Sequence, residues 1–140
     1  MFERFGWIGF SPHTKVEGFV AQLEQGKITG SRCTSCGCRA FPPRADCSAC
    51  GSPSFELVPI SGKGRVVTFT RIEQPPAGFE EHAPYTVGVV DLEEGGRLLA
   101  WFGSSIPAEE IGIGLAVQVV PRRLGDGEGA RLVYELERPP

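Results

Sequence analysis

Residues 31–51 read SRCTSCGCRAFPPRADCSACG, which holds two Cys-x-x-Cys pairs, Cys33/Cys36 and Cys47/Cys50, with a short insert between them. A two-residue spacer lets both thiolates of a pair reach one tetrahedral ion, at Zn–S distances of about 2.3 Å. Gly37 and Gly51 each follow the second cysteine of a pair. There the backbone must turn sharply to aim its N–H groups at the sulfurs, and glycine makes that turn at no steric cost. Two disulfides are the rival reading. A redox Cys-x-x-Cys usually stands alone on a strand-to-helix turn, so two symmetric pairs argue against it. The chain has 5 cysteines, an odd number that suits a cytoplasmic zinc site plus one spare thiol, Cys38, better than a secreted disulfide framework. Four thiolates close the coordination shell, so the metal is structural; a catalytic zinc keeps one position for water.

Working outward, the chain upstream of the knuckles carries a short amphipathic helix over residues 15–26, KVEGFVAQLEQG. Val16, Phe19, Val20 and Leu23 recur at helical spacing, and Gly26 is a natural stop. Residues 27–30 are expected to open the ribbon as a strand and residues 56–60 to leave it. Ser61-Gly62-Lys63-Gly64 breaks the pattern and reads as a boundary; its Gly-x-Gly alone is a weak phosphate signal. Five strands are predicted beyond it, over 65–72, 85–92, 97–102, 116–121 and 130–136, with a hairpin turn at Glu93-Glu94-Gly95-Gly96 and a helical turn at 107–111. That order fits a five-stranded barrel of the OB type. The fold class is therefore mostly β: an N-terminal segment and helix (1–30), a zinc ribbon (31–60) and a barrel (61–140).

The bulk numbers exclude several functions. The 140 residues are 41% hydrophobic and carry a net charge of −3. Zinc ribbons often bind nucleic acid, and such domains are usually basic. Here Arg32, Arg39 and Arg44 stand against Asp46, and zinc with four thiolates adds about −2, so no positive field remains for a phosphate backbone. No apolar run approaches the roughly 20 residues of a membrane span, and Met1-Phe2-Glu3-Arg4-Phe5 does not read as a signal peptide. The expected setting is the cytoplasm, without nucleic acid or membrane.

Catalysis is hard to assemble. His13 and His82 fall in proline-flanked loops, and Cys38 has no sequence neighbour that reads as a base or an oxyanion hole. Partnership fits better. Phe41, Pro42 and Pro43 read as a rigid apolar bridge suited to a groove on another protein, or else as packing of the ribbon on the helix. Arg39 and Arg44 flank the bridge and suit carboxylates or a CoA phosphate. Phe2, Phe5, Trp7, Ile8 and Phe10 are unusually apolar; unless they fold back on the barrel, a partner should cover them. Arg122-Arg123 read as a phosphate contact or a solvated strand end.

RCTSCGCRAFPPRADCSACGS, SGKGRVVTFTRI, PYTVGVVDLEEGGRLLAWF and IGIGLAVQVV together resemble the DUF35 family, which joins a rubredoxin-like zinc ribbon to an acyl-CoA-associated OB fold. The Phe-Pro-Pro-Arg segment is the most specific element of the match; Cys38, beside Cys36, departs from it. FERFGWIGF and KVEGFVAQLEQGKITGSRC are similar to small subunits of thiolases in aromatic-compound degradation. The resemblance implies a non-catalytic accessory subunit, hetero-oligomeric with a thiolase-type catalytic subunit, that helps bind or position a CoA thioester. A free-standing acyl-CoA-binding module is the first alternative, and a nucleic-acid-binding ribbon and barrel the second.

Overall fold

A computed structural model describes residues 1–9, 11 and 13–140. The amphipathic stretch folds as α1, Glu17–Glu24, with Phe19, Val20 and Leu23 buried. It stops at Gly26, whose φ is +75°. The Gly26 amide donates to the Leu23 carbonyl and the Lys27 amide to the Gln22 carbonyl, both at 2.9 Å. This Schellman arrangement satisfies carbonyls that the helix leaves open.

The ribbon is a three-stranded antiparallel sheet in the order β2-β1-β3, built from β1 (Thr29–Cys33), β2 (Arg39–Ala40) and β3 (Phe55–Pro59). The first strand starts and ends later than its expected bounds, and it spans the expected division at residue 30. Its register with β3, Thr29 on Pro59 through Cys33 on Phe55, carries the pairing into the first cysteine.

The barrel consists of β4 (Lys63–Ile72), β5 (Tyr85–Leu92), β6 (Arg97–Phe102), β7 (Ala116–Leu124) and β8 (Arg131–Glu137). It closes in the order β4-β5-β6-β8-β7, with β6 and β8 parallel and the other pairs antiparallel. A 3-10 turn, Ala108–Glu110, lies between β6 and β7. This is the strand order of an OB barrel. Three of the five strands differ from their expected bounds: β4 begins at Lys63, β7 runs on to Leu124, and β8 is shifted by one residue to Arg131–Glu137. Gly64, expected in the break, lies within β4, paired with Leu92 and Val117, at a position where any side chain would strike the Asp91 carbonyl and Val90. And β7 continues past Pro121, a residue tolerated because β4 leaves β7 at Gln118 and frees that side of the strand.

Val66, Val90, Leu92, Leu98, Val117, Val119, Leu132 and Leu136 fill the barrel, and their cluster runs on without a break into Phe19, Val20, Leu23, Ile28 and Phe41. Helix, ribbon and barrel thus share one core. The N-terminal residues fold back onto it. Phe5 bridges Leu132, and the Gly6 amide donates to the Leu132 carbonyl at 2.8 Å. The Arg131 guanidinium donates to the carbonyls of Phe5 (2.9 Å) and Gly6 (2.6 Å). Trp7 stacks on Trp101 at 4.1 Å between ring centres, and Trp101 on Tyr85 at 3.9 Å. The apolar N-terminus therefore folds back on the barrel, which leaves Phe2, Phe5, Trp7 and Ile8 half-buried; Phe10 lies outside the described residues.

Candidate metal centre

The two knuckles repeat one backbone design. The amide of Gly37 donates to the carbonyl of Cys33, and that of Gly51 to Cys47, both at 2.9 Å. Cys33 in turn donates to Cys38, and Cys47 to Ser52. Gly37 and Gly51 have φ of +79° and +74°, the left-handed turn their positions require. Each loop folds its two cysteines toward a common point: the sulfurs of Cys33, Cys36, Cys47 and Cys50 all lie within 4.8 Å of one another.

The closest sulfur contacts are 3.6 Å for Cys33–Cys50 and 3.5 Å for Cys36–Cys47. A disulfide would require about 2.05 Å, whereas the edge of a tetrahedron with Zn–S bonds of 2.3 Å is about 3.8 Å. All five cysteines are free thiols, which removes the disulfide reading. Donor set and separation both fit a structural zinc. Charge points the same way. The backbone N–H of Cys36 draws the Cys33 thiol down to about 6. Although the backbone N–H of Cys38 pulls Cys36 down, the sulfurs of Cys47 and Cys50 push it up to about 12. Four thiolates this close repel, and a divalent cation at their centre relieves the repulsion.

Cys38 is half-buried and stands outside the four-sulfur group; its thiol approaches the Arg39 carbonyl at 3.8 Å. His13 is exposed. His82 is also exposed and sits edge-on to Trp7, 4.8 Å between ring centres. Neither histidine is hydrogen-bonded through its ring to a nucleophile among the described residues.

The bridge between the knuckles divides. Phe41 and Pro43 are buried, whereas Arg39, Pro42 and Arg44 are exposed. Phe41 packs on Phe19 and Tyr134, with ring centres 5.9 and 5.3 Å away. It therefore does not fill a partner's groove: it is the ribbon's anchor in the chain's own core. Pro43 likewise offers no surface to a partner. The Arg44 amide donates to the buried Ser31 hydroxyl at 2.9 Å, which fixes the bridge while leaving the guanidinium in solvent. Arg122 is not free for a phosphate, since it pairs with Glu135 at 3.3 Å and Glu137 at 2.5 Å. What sequence reasoning missed is the aromatic stack of Trp7, Trp101 and Tyr85, edged by Phe79 and His82. Its members come from the N-terminus, β6, β5 and the β4–β5 loop, and no local pattern signals such a meeting.

Fold and site together define a class: a zinc-ribbon module fused through a shared core to an OB barrel. Residues 20–56 match the ChsH2 rubredoxin-like zinc ribbon domain, and residues 57–122 the ChsH2 C-terminal OB-fold domain. A DUF35 domain-containing scaffold protein of Pyrococcus furiosus is 40% identical over 101 residues, 72% of this chain and 73% of that one. The chain belongs to the DUF35 family. The benzoylsuccinyl-CoA thiolase subunit BbsA of Thauera aromatica is 36% identical over 73 residues, 52% of this chain and 49% of BbsA. Among solved structures, the Ltp2-ChsH2(DUF35) aldolase superposes with a TM-score of 0.68 at 26% identity, covering 91% of this chain and 98% of that one.

Proposed function

We propose that this chain is a non-catalytic accessory subunit of a thiolase-type acyl-CoA enzyme, acting in the degradation of aromatic compounds. Cys33, Cys36, Cys47 and Cys50 hold one structural zinc, which fixes the ribbon against helix and barrel. The large partner supplies the nucleophile and the acid–base groups. This chain stabilises the complex and helps position the CoA thioester, with Arg39 and Arg44 as the exposed cations beside the zinc knuckles. The observation that carries the reading is the likeness to BbsA, a thiolase subunit. The closed four-sulfur site supports it by giving the metal no open position for substrate.

Co-expression with the thiolase-type subunit encoded alongside it, followed by gel filtration, tests the reading. A stable hetero-oligomer is expected. A chain that stays monomeric beside every such subunit, yet binds a CoA thioester alone, would identify a free-standing module instead.

A further inference from the structure

The first strand of the barrel is longer than its closure uses. β4 pairs with β7 only through Lys63, Gly64 and Arg65. Beyond that point the Val66 amide and carbonyl are met by Leu115 and Gly114. From Thr68 to Ile72 the strand is paired with β5 on one side, and on the other no described residue pairs with it. Thr68, Phe69, Thr70 and Arg71 are all exposed, Phe69 by 40%.

Unpaired strand edges template the addition of another strand, and proteins blunt them with lysine, proline, bulges or a covering loop. A bulge marks the start of this edge, between Val66 and Thr68, but no proline or lysine lies within residues 67–72. The rest, Thr-Phe-Thr-Arg-Ile, has high β propensity. Charge selects the occupant. β4 carries Lys63, Arg65 and Arg71 and no acid, in a chain whose net charge is −3. A second copy would set two such cationic strands side by side, which like-charge repulsion disfavours. An extended segment of a different chain, bearing carboxylates, meets both the open backbone groups and the cations.

We propose that the free edge of β4 over residues 68–72 is a strand-addition site for an extended, acidic segment of the catalytic partner; this rests on the accessory-subunit reading. Phe69 and Arg71 share one face of the strand. The segment therefore sets an apolar side chain beside Phe69 and, two residues away, a carboxylate beside Arg71. The Arg71–Glu73 contact, 3.4 Å and exposed, is weak enough to be exchanged.

Hydrogen exchange on the full-length chain, free and bound to the thiolase-type subunit encoded alongside it, tests this. Those amides of residues 68–72 that point away from β5 should exchange at least about tenfold more slowly in the complex, as protection follows hydrogen bonding. Arg71→Glu should weaken partner binding about three- to tenfold with zinc content unchanged, and Phe69→Pro, which removes an N–H that faces away from β5, should weaken it further. A complex that forms while these amides stay unprotected, and that tolerates Arg71→Glu, overturns the strand-addition site and leaves the accessory reading standing. Failure to form any complex has a different signature, and it removes both.

Discussion

Cys33, Cys36, Cys47 and Cys50 differ from Cys38 in one respect that matters for metal: their sulfurs converge within 4.8 Å and that of Cys38 does not join them. Cys33→Ser or Cys50→Ser should therefore lose zinc, read as metal per chain by atomic absorption, whereas Cys38→Ser should retain it. Equal retention in all three would refute the ligand assignment. Glu137 is the other residue with a chemical load. It is buried at 6% exposure, accepts from the Ser105 amide at 2.9 Å and pairs with Arg122. Burial alone would raise its pKa, but the Ser105 hydrogen bonds and the Arg122 guanidinium hold it below the usual carboxylate range. A depressed carboxylate contributes stability that is present above the unfolded value of about 4.3 and is lost as pH falls through the folded one. Glu137→Gln should cost about 1–3 kcal/mol at pH 7, and the gap in melting temperature from the parent should shrink as pH falls from about 5 to 3. Glu135, raised first by burial and also by the neighbouring Glu137 charge, should titrate at a lower pH in Glu137→Gln than in the parent.

At the scale of elements, much of the architecture is legible in the sequence because its signals are local. The bounds of β5 and β6 follow from β-branched alternation and the Glu-Glu-Gly-Gly turn, and α1 from apolar spacing and Gly26. The knuckles follow from cysteine spacing. What is not legible depends on contacts between distant residues. Gly64 looks like a breaker until Asp91 and Val90 pass beside it. Phe41 looks like an exposed bridge until α1 and Tyr134 enclose it. The N-terminal strap belongs to the same group: Arg131, more than a hundred residues downstream, holds the carbonyls of Phe5 and Gly6. Trp7 anchors the strap by stacking on Trp101. Trp7→Ala should remove the near-UV circular dichroism of the Trp7–Trp101 pair and destabilise the chain by about 3–5 kcal/mol, less to the extent that Trp7 is only half-buried. An unchanged near-UV spectrum would show that the stack does not form in solution.

At the scale of the molecule, three modules of unlike chemistry share one hydrophobic cluster, from Phe19 through Phe41 to Leu136. Zinc loss should accordingly be felt beyond the ribbon, because Phe41 and Ile28 leave the same core that the barrel uses. No described helix is long and apolar enough to cross a membrane. Exposed Arg39 and Arg44 beside the knuckles and the open edge of β4 leave the chain with surfaces that a partner can use, while its metal offers no open site. The central proposal is that this chain works as a subunit of a thiolase-type complex rather than as a solitary module. Native mass spectrometry of the zinc-loaded chain co-expressed with the thiolase-type subunit measures this most directly. The account predicts one hetero-oligomeric mass with about one zinc per copy of this chain, and a monomeric chain beside an unassociated thiolase would contradict it.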